Sequence, residues 1–445
     1  MTVTPQAVLA VTHRRVLAIA VPIVISNATV PILGAVDTGV VGQLGQAAPI
    51  GAVGIGAITL AAVYGLLNFL RMGTTGLVAQ AEGAGRRAEV EALLSRAMLL
   101  GGSLGVLFIL SHRAIFWAAF ELAPASQEVE TMARSYLGIR MFGAPAMLAL
   151  FGINGWLIGL GRTRGVLFLQ LWMNGLNILL DLWFVLGLGW GVEGVAVASL
   201  MAEWSGLAFG LWLCRDAFRG AVWRAAGRVL AADGLKRMAQ VNGDIFIRSL
   251  LLNAVFVSFL FLGAGFGDVP LAANQVLLQF LEVTAYALDG FAFAAEAIVG
   301  QAMGARQPAV LRRAALLTSL WSGAICLGLV LIFALFGGAL IDLMTTAQAV
   351  RAEARLYLPY VAALPIVALA AFMLDGIFIG ATRTADMRNM MAVSVLVYGI
   401  VLAALTPSLG NHGAWIALLV SFVARGVTLG LRYPALERAA ARPAA

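Results

Sequence analysis

From Val16 to Val41 the chain is apolar almost without a break, and stretches of this kind recur along its whole length. A bilayer core takes about 20 residues of helix. Twelve stretches of that order predict spanning helices over 16–41, 50–72, 90–111, 133–160, 165–188, 193–214, 238–265, 270–299, 312–339, 356–381, 388–406 and 412–431. The polar segments between them alternate in charge. "HRR" before the first span, "GRR" at 85, "GRTR" at 161, "RDAFRGAVWRAAGR" at 215, "ARQPAVLRR" at 305, "RTADMR" at 383 and a tail with Arg432 and Arg438 all fall on one side. The positive-inside rule makes that side cytoplasmic, with both termini inside. The opposite loops include the acidic "ELAPASQEVE" at 121, with Arg351 and Arg355 as exceptions.

Composition agrees with this pattern. Of 445 residues, 61% are hydrophobic and 11% charged, less than half the charged share of a soluble domain. The surplus of basic residues, 29 against 22 acidic ones, is spread in short groups between apolar stretches, which points to membrane topology and away from a nucleic-acid partner. Cys214 and Cys326 stand far apart in apolar surroundings, without CxxC spacing, and are expected in the core. "THRRVLAIAVPIVIS" has the order of a signal peptide, but its apolar run continues past signal length and reads as the first spanning helix. His13, His112 and His412 are scattered over loops and no P-loop occurs, so no enzyme and no ATP-driven step are expected.

The two halves repeat. "VAQAEGA" at 78 matches "VGQAMGA" at 299, "ARSYL" at 133 matches "ARLYL" at 354, and "FGINGWLIGLGRT" at 151 matches "FMLDGIFIGATRT" at 372. Every pair is 221 residues apart. An even number of spans per half makes the repeats parallel, related by an axis along the membrane normal. The expected organisation is an N-lobe over 1–214, a cytoplasmic link over 215–237 and a C-lobe over 238–445. Two six-helix lobes around a central cavity are the architecture of an alternating-access carrier.

Ionisable side chains inside a bilayer cost about 3 kcal/mol each on insertion scales, so those that occur are functional candidates. The first half offers Asp37 on span 1 and Asn174, Asn177 and Asp181 on span 5, whose i, i+3, i+7 spacing puts them on one helix face. Ser199 on span 6 adds a hydroxyl. If Asp37 meets that face, two carboxylates away from water form a device for holding and releasing a proton. The same oxygens also suit a hard cation such as Na⁺. The second half carries Arg248 on span 7, Asn274, Glu282, Asp289 and Glu296 on span 8, and Asp375 on span 10. By the offset, Asp289 matches Asn68 and Asp375 matches Asn154. Arg248 is expected to pair with Asp289 or Asp375, and is taken as the one strong intramembrane basic candidate. Phe142, Met147, Met173, Tyr286, Phe291 and Phe293 are candidates to line a cavity for flat lipophilic cations. Pro22 and Pro31 interrupt the hydrogen bonding of span 1.

"SNATVPILGAVDTGVVGQLG", "FLRMGTTGLVAQAEGA", "NILLDLWFVLGL", "AYALDGFAFAAEA" and "LDGIFIGATRTADMRN" resemble the multidrug and toxic compound extrusion (MATE) transporters, specifically the DinF-like branch. The resemblance covers essentially the whole chain. It implies a monomeric carrier of two six-helix bundles in a bacterial inner membrane, exporting organic, often cationic and amphipathic compounds in exchange for H⁺ or Na⁺, with no further cofactor. It also implies a cation site at Asp37, Asn177, Asp181 and Ser199, the last where the family commonly has Thr, a bend of the first helix at Pro22, and Asp375 at the position other branches use for coupling. A flippase for lipid-linked precursors, a carrier of related architecture, is the alternative. It calls for several cationic residues in the cavity.

Overall fold

A computed structural model describes residues 10–122, 126–220 and 222–441, and among these every regular element is helical. Among the described residues, twelve helices are long and apolar enough to cross a membrane: α1 His13–Gly42, α2 Ala47–Gly83, α3 Arg87–Leu110, α4 Gln127–Gly159, α5 Thr163–Gly187, α6 Gly191–Leu213, α7 Ala232–Gly265, α8 Asp268–Gly304, α9 Pro308–Met344, α10 Gln348–Gly380, α11 Thr384–Leu409 and α12 Asn411–Ala441. Each corresponds to one expected span. Most extend beyond it, because a helix continues into polar turns where the hydrocarbon ends. In α4, for instance, the added first turn is capped by Ser126, whose hydroxyl accepts from Val129 N at 3.4 Å. Many of the exposed side chains are large and apolar, Leu343 (85%) and Leu431 (76%) among them. A surface of that kind suits a lipid solvent.

Three of these helices are irregular where polar residues gather. Asn68 interrupts α2, and its side-chain oxygen accepts from Arg71 Nε at 3.3 Å. A single 3₁₀ turn, Met141–Gly143, follows Arg140 in α4. The last turn of α5, Leu182–Gly187, widens to π geometry directly after Asp181. Such bulges inside α-helices are found mostly at functional positions. By contrast, α1 stays helical through both prolines, with Pro22 buried and Pro31 exposed.

The chain forms two compact units. One holds Met1–Val24 (described from residue 10), Ala79–Gly85 and Gln240–Ala445, and the other Ile25–Val78 and Arg86–Ala239. In the second unit a core around Val41, Leu70, Leu137, Leu148 and Val195 joins the helices. In the first, Phe259, Leu277, Val361, Trp415 and Leu418 belong to the corresponding core. Trp415 Nε1 and Asn411 Nδ2 there both donate to Asn274 Oδ1, so Asn274 is a helix-to-helix tie.

The internal repeat is visible as packing. Gly155 and Gly159 of α4 lie so close to α2 that a Cβ on Gly159 would stand 2.8 Å from Thr75 O, while one on Gly155 would overlap Arg71 O. The equivalent pair on α10, Gly376 and Gly380, meets Ala292 O and Glu296 O of α8 in the same manner. All four contacts correspond through the 221-residue offset. Small residues four apart let backbones approach where lipid removes the hydrophobic drive for helix association. Within the first unit the ends of α2 and α8 repeat the reciprocity: Gly83 meets the Gln301 backbone and Gly304 the Gln80 backbone.

Candidate functional site

The second unit builds a polar centre from five helices. α1 and α5 run in the same direction and touch at two levels. At the first, Asn174 Nδ2 donates to Thr29 Oγ1 (2.8 Å) and Gln170 Nε2 donates to Asn174 Oδ1 (2.8 Å). Two turns further along both helices, the carboxyl groups of Asp37 and Asp181 meet. The advance is eight residues on α1 and seven on α5, or about 12 and 10 Å at 1.5 Å per residue, so parallel helices reach both contacts without distortion.

Asp181 is fully buried. Asn177, one turn earlier, donates from Nδ2 to Asp181 Oδ2 at 3.1 Å and lies 3.5 Å from Ser199 Oγ on α6. Asp37, Asn177, Asp181 and Ser199 are therefore brought together. The Oδ1 atoms of both Asp37 and Asp181 are buried without a hydrogen-bond donor. Two facing carboxylates with orphaned oxygens can be satisfied by a shared proton or by a bound cation, since each supplies the missing positive partner.

Behind this pair stands a second charge layer absent from the sequence-based list. Arg140 of α4 pairs with Glu203 of α6 at 2.9 Å, with both side chains largely buried. It acts electrostatically on Asp37 and Asp181, and Tyr136 and Tyr64 share its surroundings. Gly143 makes room for this pair: a Cβ there would overlap Glu203 Oε2. The sequence did contain a signal, since Arg140 in "YLGIRMFG" and Glu203 in "LMAEWSG" interrupt apolar spans as plainly as Asp37 does.

In the first unit, Arg248 pairs with Asp375, as one of the two expected alternatives, and Arg425 of α12 approaches the same carboxylate at 3.7 Å. The Arg425 guanidinium also lies over Phe372 (5.6 Å) and Phe422 (5.2 Å). The expectation that Arg248 is the only strong basic group within the spans is corrected: Arg71, Arg96, Arg140 and Arg425 are likewise inside helices, and Arg71, Arg96 and Arg425 are buried to the same degree as Arg248. Arg140, Arg248 and Arg425 each sit on a carboxylate, which is how such charges survive away from water. Of these three, Arg140 and Arg425 were not anticipated from the sequence, because a carboxylate partner two helices away is invisible in one span.

The remaining candidates are dispersed. Glu282 is exposed on α8, and Asp289 is half-buried there with Tyr286, which faces both carboxylates. Glu296 is buried. Of the aromatic and Met candidates, Phe142 is exposed with its carbonyl accepting from Trp204 Nε1 (3.1 Å), Met147 packs on the core, and Met173 fills the space beside Gly206. Phe291 is buried and Phe293 half-buried in the first unit. Cys214 and Cys326 are both buried free thiols.

A family profile described as MatE matches residues 22–183 and 245–405, one segment in each half. The chain is 39% identical to DNA damage-inducible protein F of Escherichia coli K12, over 92% of this chain and 90% of that protein. It is 28% identical to a probable multidrug resistance protein NorM of Xanthomonas campestris, over 94% and 93% of the two chains. Among solved structures, a MOP superfamily transporter from Pyrococcus furiosus aligns over 97% of both chains with a TM-score of 0.84 at 20% identity. A mutant of the Vibrio cholerae MATE transporter VcmN aligns over 96% and 97% with a TM-score of 0.86 at 19% identity. Those two likenesses establish the two-lobe, all-helical fold. With the profile matching both repeats and a 39% identical relative spanning nearly its whole length, the chain belongs to the MatE family of multi-pass membrane transporters.

Proposed function

We propose that this protein is a secondary antiporter that exports organic, often cationic and amphipathic compounds in exchange for H⁺ or Na⁺. The observation that carries the reading is the meeting of Asp37 and Asp181 across α1 and α5, each with a buried Oδ1 that has no donor. Binding of the ion there fills both vacant acceptors and ties α1 to α5. Loss of the ion leaves two repelling carboxylates and favours their separation. Exchange requires only that ion and compound prefer different arrangements of the same helices. Asn177 and Ser199 supply the further oxygens for a cation, whereas a proton needs only the two carboxylates. Asp375, held between two guanidiniums, serves as an ion-paired support in this reading, so coupling rests on the site at Asp37 and Asp181. The basic loops and the link at 215–237 face the cytoplasm of a bacterial inner membrane, and the carrier works as a monomer.

The test is exchange in proteoliposomes, with pH and Na⁺ gradients imposed separately, on wild type and Asp37→Asn. One gradient is expected to drive export of a lipophilic cation and Asp37→Asn to abolish that drive. Export that ignores both gradients, or that survives unchanged in Asp37→Asn, refutes the reading.

A further inference from the structure

The link between α6 and α7 folds against the start of α3 and forms with it an open pocket of about 510 Å³, lined by Arg86, Glu89, Arg96, Arg228, Asp233 and Arg237 among others. That volume lies within the range of about 300–1,000 Å³ usual for small-molecule sites. Its floor is built. Arg96, 3% exposed, donates from Nε to Val229 O (2.8 Å), from Nη2 to Arg228 O (2.7 Å) and from Nη1 to Glu89 Oε1 (2.5 Å). Its guanidinium lies so close to the backbone at Gly234 that a Cβ there would stand 2.6 Å from it. Arg96 thereby fixes the link to α3, with Glu89 as its carboxylate partner.

The charges do not balance. Four guanidiniums, Arg86, Arg96, Arg228 and Arg237, line the pocket against two carboxylates, Glu89 and Asp233, and Arg237 feels both the repulsion of Arg86 and the attraction of Glu89. α3 begins at Arg87 and α7 at Ala232, so two helix N-termini add their positive ends to the same space. The end of α6 and the link expose apolar side chains: Trp212 of α6 and Trp223 of the link carry the Arg215 and Arg224 guanidiniums over their rings at 4.3 and 4.5 Å, and Leu230 of the link is also exposed. Trp flanked by Arg is typical of the level where acyl chains give way to headgroups. A basic pocket at that depth suits an anionic headgroup.

We propose that this pocket binds a phosphate-bearing anion, the headgroup of an anionic phospholipid, and that the bound headgroup completes the fastening of the link to α3. The same phosphate chemistry is offered by soluble phosphate, so the test separates the two sources. The full chain in neutral detergent is titrated with phosphatidylglycerol, with phosphatidylcholine or with inorganic phosphate, reading the thermal unfolding midpoint and the lipids retained in native mass spectra. Phosphatidylglycerol is expected to raise the midpoint and phosphatidylcholine to leave it unchanged. Arg86→Gln/Arg228→Gln, at two exposed positions, is expected to weaken that binding about thirty-fold, from the usual contribution of each basic residue near an anionic surface. Arg219→Gln/Arg224→Gln, on the same link but outside the pocket, controls for bulk charge and is expected to leave it within about three-fold of wild type. Stabilisation by inorganic phosphate that is lost in the pocket variant supports the anion site with a soluble source. No binding of either phosphate compound, or equal weakening in the two double variants, overturns the proposal.

Discussion

Replacing Arg140 by Met removes a guanidinium that faces three carboxylates at once, Glu203 at 2.9 Å and the pair Asp37 and Asp181 beyond it. Breaking a largely buried ion pair by deleting one partner costs about 3–5 kcal/mol, because the surviving charge stays away from water. Here three carboxylates survive, so the upper end of that range applies. Glu203→Gln is milder, since Arg140 keeps Asp37 and Asp181 as counter-charges and the amide oxygen still accepts; the loss is about 1–3 kcal/mol, that of one charge-assisted hydrogen bond. At about 2–4 °C per kcal/mol for a unit of this size, Arg140→Met lowers the thermal midpoint by about 10–20 °C and Glu203→Gln by about 2–12 °C. The double variant Arg140→Met/Glu203→Met replaces the pair with apolar volume and recovers part of the Arg140→Met loss. The assay is thermal unfolding of the purified protein in one detergent, followed by intrinsic Trp fluorescence. A midpoint for Arg140→Met within about 2 °C of wild type, under 1 kcal/mol on that scale, or a larger loss in Glu203→Gln, refutes the argument that Arg140 neutralises this centre.

Two further outcomes follow from packing and burial. Gly143→Ala is expected to push a methyl into Glu203 Oε2 and destabilise by about 1–3 kcal/mol, whereas Gly138→Ala, with nothing within 4 Å, leaves the thermal midpoint unchanged; equal midpoints for the two variants sink this packing argument. Cys214 lies just beyond the last residue of α6, and burial pushes its thiol from the usual value near 9 up to about 12. Between those values the unfolded chain has lost a proton that the folded chain retains, so stability falls as pH rises above about 9. In maleimide labelling at neutral pH, Cys214 is expected to stay unmodified until the protein is unfolded, and rapid labelling of the folded protein contradicts its burial.

How much could be read without coordinates depended on the range of each interaction. Asp37, Asn177 and Asp181 were legible because a helix face follows from spacing of three and four, and because an ionisable residue in an apolar run is conspicuous by itself. Arg140 and Glu203 interrupt apolar runs in the same way, yet their importance lies in facing one another from α4 and α6 and in standing behind the two aspartates. The pocket at Arg86, Arg228 and Arg237 was also hidden, since its residues come from two segments about 140 positions apart that only the fold places together.

The sequence by itself determined that the chain has twelve spans, that its halves repeat at 221 residues, and which loops are basic, because a lipid solvent imposes length and polarity one helix at a time. Only the tertiary structure decided that Asp37 meets Asp181, that Arg248 shares Asp375 with Arg425, and that Arg140 lies against Glu203. A charge buried in low dielectric is governed by its nearest counter-charge, and in this protein those partners stand on different helices.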